Sequence, residues 1–121
     1  MKKLFTLFTA LLLSFAVQAE RFPEGDYYKT LDLPKSSTPT VTEFFSFYCP
    51  HCNSFEPVIK DLKAHIDGKA EFKKNPVSFM GGPVMGQAMS KGYATMLSLG
   101  IEDKLTPVIF DRIHNKQQPP K

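Results

Sequence analysis

The feature that most constrains this chain is the junction between its strongest predicted strand and its strongest predicted helix. Residues Thr40–Tyr48, TVTEFFSFY, are rich in β-branched and aromatic side chains and contain no glycine or proline, which predicts a strand. Pro50 suits the first position of a helix, where its missing N–H costs nothing. Apolar residues at spacings of three and four then predict a helix over Pro50–Ile66. The two cysteines of the 121-residue chain, Cys49 and Cys52, lie at this junction.

The order of the predicted elements indicates an α/β fold. Besides the strand and helix at the junction, the sequence predicts two strands and two helices, over Tyr27–Leu33, Ala70–Gly82, Met85–Gly100 and Ile101–Lys116. Pro76 favours an edge or a bulge in the strand that contains it. A strand–helix–strand unit around Thr40–Gly82 predicts a parallel pair of strands joined by a crossover helix.

The first nineteen residues have the pattern of a secretory signal peptide. Lys2 and Lys3 form a basic n-region, the apolar run Leu4–Val17 follows, and Ala19 is a small residue at the expected cleavage point. This run is shorter than the roughly 20 residues that span a bilayer, so we expect export and no stable membrane insertion after the signal is removed. Of the 15 basic residues, 13 then remain against 12 acidic ones. The balance, about +1, does not indicate a nucleic-acid partner.

The position of the cysteines predicts an unequal pair of thiols. Cys49 falls at the start of the helix, where unpaired N–H groups and partial positive charge stabilise a thiolate. His51 adds a second stabilising group. Cys52, one turn into the helix, is expected to be more buried and to remain a thiol. A stabilised thiolate favours the reduced protein, so the disulfide should be oxidising and should be donated rather than removed.

Three other interpretations of the cysteine pair compete with a redox site. A structural disulfide is plausible in an exported protein, but so small a loop restricts the unfolded chain little. A zinc site usually needs four ligands, and only His51, His65 and His114 could add to the cysteines. A chance pair of buried thiols is the third. The strand-to-helix context favours a thioredoxin-like redox motif over all three.

The stretch EFFSFYCPHC, followed by FEP and later by FMGG, resembles the DsbA family of periplasmic thiol:disulfide interchange proteins of Gram-negative bacteria. The resemblance covers residues 20–116, and the Cys-Pro-His-Cys motif is specific to this oxidising group of the thioredoxin superfamily. It implies an incomplete thioredoxin-like α/β fold, with residues 20–82 as the N-terminal part of that domain and residues 83–121 as the start of an inserted helical domain. A dithiol with a stabilised thiolate and an oxidising disulfide is a known property of this family. The resemblance and the helix-start argument therefore lead to the same expectation and do not count as two separate grounds for it.

The resemblance also implies the site residues. The implied catalytic set is Cys49, Pro50, His51 and Cys52. Glu43 lies in the middle of an apolar strand, and a buried carboxylate needs a partner. Lys73 and Lys74 both lie on the next strand, and the family alignment favours Lys74, with Glu43 and Lys74 beneath the dithiol and assisting proton movement at Cys52. A solvent-facing Glu43 or a purely structural ion pair is the alternative.

By this resemblance the protein donates its Cys49–Cys52 disulfide to reduced, unfolded exported proteins in the periplasm. A DsbB-like, quinone-linked membrane oxidase would regenerate the disulfide, and no metal or organic cofactor is needed. We also expect the chain to end inside the helical insertion, before the loop whose cis-proline faces the dithiol in this family. The alternative is therefore a marginally stable, catalytically impaired fragment that acts at most as a peptide-binding module. A zinc-binding module is a third hypothesis.

Overall fold

The structure is a computed structural model that describes residues 22–120. The predicted signal peptide lies outside these residues. The elements are β1 (Thr40–Phe45), α1 (Pro50–Ile66), β2 (Glu71–Pro76), α2 (Gly82–Leu99), α3 (Glu102–Phe110) and a π-helical turn (Asp111–Asn115). Within residues 22–120, none of the helices has both the length and the hydropathy to cross a bilayer. The chain divides after Lys35 into two compact units.

The first unit contains a turn where an edge strand was predicted over Tyr27–Leu33, so that prediction is wrong. Gly25 has a φ of 97°, and this left-handed conformation reverses the chain. Its N–H donates to the carbonyl of Tyr28 at 2.8 Å, and an isolated bridge joins Glu24 to Tyr28. The Glu24 carboxylate then accepts a hydrogen bond from the N–H of Thr30. The turn thus takes up the N–H groups of Tyr27 and Thr30 and the carbonyl of Tyr28, which a strand would offer to a neighbour.

The second unit contains the predicted parallel pair of strands, β1 and β2. Their register places Glu43 of β1 opposite Lys74 of β2. Both strands are shorter than predicted. Pro76 ends β2, and the N–H of Val77 makes the next hydrogen bond, to the carbonyl of Phe45 at 2.8 Å. Beyond this point β1 has no further ladder partner on β2, so the chain leaves the sheet and turns towards α1.

The three helices form where the apolar periodicity predicts them. In α1 Ile59 is buried, and in α2 Tyr93 and Met96 are buried. Helix α2 ends at Gly100, which adopts a φ of 65° and donates its N–H to carbonyls of the last turn, a common way to end a helix. Helix α3 begins immediately afterwards, and its Phe110 is almost fully buried.

One aromatic core holds the strand end against the helices. It consists of five buried residues: Phe45, Phe47, Tyr93, Met96 and Phe110. The rings of Phe45 and Phe47 meet edge to face at 5.1 Å, and Phe45 meets Tyr93 in the same way at 5.2 Å. Such pairs add to the free energy gained by burying their area. The other face of β1 is open, and Phe44 is 67% exposed there.

Candidate functional site

The two cysteines lie at the start of α1, as predicted. Cys49 is the N-cap, with extended backbone angles, and its Sγ accepts a hydrogen bond from the N–H of Cys52 at 3.2 Å. A tight turn precedes Cys49, in which the N–H of Cys49 donates to the carbonyl oxygen of Ser46 at 3.1 Å. Both cysteines are free thiols and both are half-buried. The arrangement holds the two sulfurs on one helical turn, where they can be joined or separated by redox chemistry.

The first turn of α1 favours negative charge on Cys49. Pro50 occupies the first helical position, and the turn contains no acidic side chain. The partial positive charge of the helix N-terminus is therefore not opposed locally. His51 is exposed beside the dithiol and adds a cationic group when it is protonated. A thiolate acceptor also strengthens the hydrogen bond from the N–H of Cys52.

The surroundings of Cys52 instead favour its protonated, uncharged form. Burial is the main cause that raises the pKa of its thiol, and the hydrogen bond with Cys49 acts in the same direction. The negative charges of Cys49 and Glu43 add smaller increases, and a backbone hydrogen bond with Ser46 acts against them. Cys52 therefore stays protonated to higher pH than an ordinary cysteine. The geometry places one sulfur at the N-cap of α1 and a thiol that stays protonated one turn later.

A cluster of one ammonium group and two carboxylates joins β1, β2 and α1. The Nζ of Lys74 is 3.1 Å from Glu43 Oε2 and donates a hydrogen bond to Glu56. The side chain of Lys74 is only 10% exposed, and its Nζ also lies 4.7 Å from the centre of the Phe45 ring. Lys73, the alternative partner, instead pairs with Glu71 of its own strand at 2.9 Å. The predicted Glu43–Lys74 pairing is thus the one that the structure contains.

Glu56 was not among the predicted site residues. It follows Cys52 by four positions in α1, so the two side chains share one face of the helix. The sequence shows this spacing, because Glu56 of the FEP segment lies four positions after Cys52. The sequence alone does not show that Lys74, on β2, reaches across to Glu56. The structure therefore extends the predicted pair to a cluster of three charged residues.

His114 is the second residue near the dithiol for which the sequence predicts no role in a redox site. The sequence offers it only as a possible zinc ligand, but it is half-buried, and its Nε2 lies 2.9 Å from the carbonyl oxygen of Phe47. Its ring also lies 6.0 Å from that of Phe110. His65, by contrast, is exposed. Among residues 22–120, no group of three or more histidines, cysteines and carboxylates is arranged to hold a metal ion.

Tyr48 and Gly81 connect the dithiol turn to the loop before α2. Gly81 has a φ of 83°, and a Cβ at this position would lie 2.3 Å from Cδ2 of Tyr48. Only glycine allows both this backbone conformation and so close an approach of the ring. The FMGG segment therefore packs against the residue that precedes Cys49.

A β-α-β unit with one cysteine capping the crossover helix and a second cysteine one turn later defines the redox-active part of a thioredoxin-like fold. The comparison with protein families agrees, because residues 40–121 match the DSBA-like thioredoxin domain. The chain belongs to this family.

Individual relatives extend the match. The chain is 38% identical over 120 residues to the thiol:disulfide interchange protein DsbA of Dickeya dadantii, covering 97% of this chain and 57% of that protein. The crystal structure of the disulfide oxidoreductase DsbA from Proteus mirabilis has a TM-score of 0.64 at 33% identity, covering 83% of this chain and 53% of that one. A complex of Proteus mirabilis DsbA with the non-covalently bound peptide PWATCDS has a TM-score of 0.65 at 32% identity, covering 83% and 54%. The chain thus spans little more than half the length of these relatives.

Proposed function

We propose that this protein is a thiol:disulfide oxidoreductase that donates a Cys49–Cys52 disulfide to newly exported proteins. One observation carries the proposal: Cys49 caps α1 and its sulfur accepts the N–H of Cys52 at 3.2 Å. This contact and the helix N-terminus both stabilise a thiolate on Cys49, the sulfur that must leave when the disulfide is passed on. The family membership supports the same reaction class.

The reaction proceeds through two thiol–disulfide exchanges. A substrate thiolate attacks the Cys49 sulfur of the oxidised protein, the Cys49–Cys52 bond breaks, and the electron pair leaves on Cys52. Because burial raises the pKa of Cys52, this sulfur takes up a proton. A second substrate thiolate then attacks the substrate sulfur of the mixed disulfide and releases Cys49 as a thiolate. The substrate loses two electrons and gains a disulfide, and the protein becomes a dithiol.

The neighbouring residues have distinct roles in this proposal. Pro50 starts the helix and so places the N–H groups under Cys49, and His51 stabilises its negative charge. Glu43 and Lys74 support proton movement at Cys52, and Glu56 joins them because it lies on the same face of α1. The positive charge of Lys74 neutralises one of the two carboxylate charges. This reduces the net negative charge near Cys52.

The setting of the reaction is also part of the proposal. Residues 1–19 direct the chain to the periplasm, and its substrates are reduced, unfolded exported proteins. The peptide bound to Proteus mirabilis DsbA supports substrates of this kind. A DsbB-like, quinone-linked membrane oxidase restores the disulfide. Residues 20–82 form the N-terminal part of the thioredoxin-like domain, and residues 83–121 begin an inserted helical domain.

The direct test is the oxidation of a reduced, unfolded protein by the oxidised chain, followed by counting substrate disulfides by mass spectrometry. We expect one substrate disulfide for each Cys49–Cys52 disulfide consumed. The Cys49→Ser variant should be inactive, and the Cys52→Ser variant should also transfer no disulfide. Binding of the unfolded protein without transfer of a disulfide would favour a peptide-binding module and contradict the proposal.

A further inference from the structure

We propose that His114 is a positioning residue for the dithiol, acting through the backbone carbonyl of Phe47. Its Nε2 lies 2.9 Å from that carbonyl oxygen, and Phe47 is separated from Cys49 by one residue. The inference rests on the proposed function, since it assigns a residue to the control of the same redox site. His114 lies 67 positions away in sequence and belongs to the π-helical turn after α3.

The segment between β1 and α1 needs such a donor. The carbonyl of Phe45 accepts the last sheet hydrogen bond, from Val77, and the carbonyl of Ser46 accepts the N–H of Cys49. Phe47 is 1% exposed and lies beyond the end of the ladder. A buried carbonyl without a donor is costly, so the structure must supply one from a side chain. His114 supplies it.

The geometry requires a hydrogen on Nε2 of the His114 ring. A carbonyl oxygen can only accept, so Nε2 must carry a hydrogen and donate it. The neutral ring with hydrogen on Nε2 meets this requirement, and so does the protonated ring. The ring is held at 6.0 Å from the ring of Phe110, and the two planes are inclined by 31°. Since Phe110 also contacts Phe47, at 5.2 Å between rings, the donor and acceptor are fixed by the same core.

A change at the Phe47 carbonyl affects the Cys49 sulfur through the turn that joins the two residues. The Phe47 carbonyl orients the peptide unit shared with Tyr48, whose N–H in turn contacts the hydroxyl of Ser46 at 3.2 Å. The next residue is Cys49, whose N-cap geometry sets the hydrogen bond from Cys52 to its Sγ. If the Phe47 carbonyl loses its donor, the turn must move to find another one. The Cys49 thiolate then loses part of its stabilisation, and the disulfide becomes less oxidising.

Two variants separate the hydrogen bond from packing. His114→Phe keeps an aromatic ring against Phe110 but has no donor, and His114→Gln places an amide N–H near the position of Nε2. His65→Phe replaces an exposed histidine in the last turn of α1, away from the dithiol, and serves as the control. For each purified chain, the equilibrium between dithiol and disulfide is measured in glutathione buffers, with circular dichroism to confirm folding.

We expect the His114→Phe dithiol to be oxidised about tenfold more readily at equilibrium, a shift of about 30 mV towards a weaker oxidant. His114→Gln and His65→Phe should remain within about twofold of the unchanged protein. A folded His114→Phe variant with an unchanged equilibrium would overturn the inference, as would equal shifts in the Phe and Gln variants. If the unchanged protein itself proves to be a weak oxidant, the proposed function fails instead, and the comparison among variants still decides the role of His114.

Discussion

Lys74 and Glu56 form a hydrogen-bonded ion pair between β2 and α1, 18 positions apart in sequence. Glu43, opposite Lys74 in the sheet register, is the second carboxylate in contact with the same ammonium group. The cluster therefore joins both strands to the helix that begins at the dithiol. Removing its single cation would leave two carboxylates facing each other in a poorly solvated position.

Replacing Lys74 should therefore destabilise the fold. For Lys74→Met we expect a loss of about 2–4 kcal/mol in the free energy of unfolding, at or a little below the cost of breaking a fully buried pair, because Glu56 is partly exposed. The measurement is denaturant unfolding followed by circular dichroism. Lys73→Met is the matched control: Lys73 is 62% exposed in its pair with Glu71, and its loss should cost less than about 0.5 kcal/mol. Equal losses in the two variants would contradict the assignment.

The two thiols should respond differently to pH. Burial raises the pKa of Cys52, so this thiol should stay protonated and unreactive at pH values where an ordinary cysteine is already alkylated. We expect limited iodoacetamide treatment of the reduced chain at neutral pH to label Cys49 first. In the Cys49→Ser variant, the alkylation rate of Cys52 should rise only above the pH at which a free cysteine peptide reacts. Peptide mass spectrometry identifies the labelled residue, and preferential labelling of Cys52 would refute the asymmetry.

His51 should tune the redox equilibrium. Its removal in His51→Ala deprives the Cys49 thiolate of a nearby cationic group, so the dithiol should be oxidised more readily by about tenfold or more, at least about 30 mV. Equilibration with glutathione measures the effect. His65→Ala, at the exposed end of the same helix, should leave the equilibrium unchanged. An unaltered equilibrium in His51→Ala would show that His51 does not stabilise the Cys49 thiolate.

The Tyr48–Gly81 contact gives a prediction about stability. Gly81→Ala introduces a Cβ at 2.3 Å from the Tyr48 ring and a side chain at a φ of 83°, so we expect a loss of about 2–4 kcal/mol. Gly92→Ala is the control, because this helical glycine has no atom within 4 Å of the added Cβ. It should stabilise α2 by about 0.5–1 kcal/mol. Thermal and denaturant unfolding compare the two, and a neutral Gly81→Ala would contradict the close packing.

The parts of the site that follow from local sequence were predicted well. Pro50 and the apolar periodicity after it define the start of α1, and the start of this helix places Cys49 at the N-cap. The parallel pairing follows from the strand–helix–strand order, but the choice of Lys74 over Lys73 as the partner of Glu43 came from the family resemblance, and the register agrees with it. The thioredoxin-like fold class is confirmed by the family match.

The remaining features depend on contacts between distant segments. The composition of Thr40–Tyr48 favours a strand throughout, but β1 ends at Phe45 because β2 offers no further partner. Similarly, Tyr27–Leu33 has strand composition, but a local turn at Gly25 binds the N–H of Tyr27 and the carbonyl of Tyr28. The sequence gives no signal for the contact between His114 and the Phe47 carbonyl, because the aromatic core brings the two residues together from 67 positions apart.

An oxidising dithiol formed by Cys49 and Cys52 is the basis of the proposed function. The equilibrium of the purified chain with defined glutathione buffers tests it directly, read as the fraction of Cys49–Cys52 disulfide by alkylation and mass spectrometry. We predict a disulfide at least about a hundredfold more readily reduced than that of thioredoxin, which means a potential at least about 60 mV above about −270 mV. A potential at or below that of thioredoxin would contradict this prediction, because a capped and stabilised Cys49 thiolate could not then govern the equilibrium.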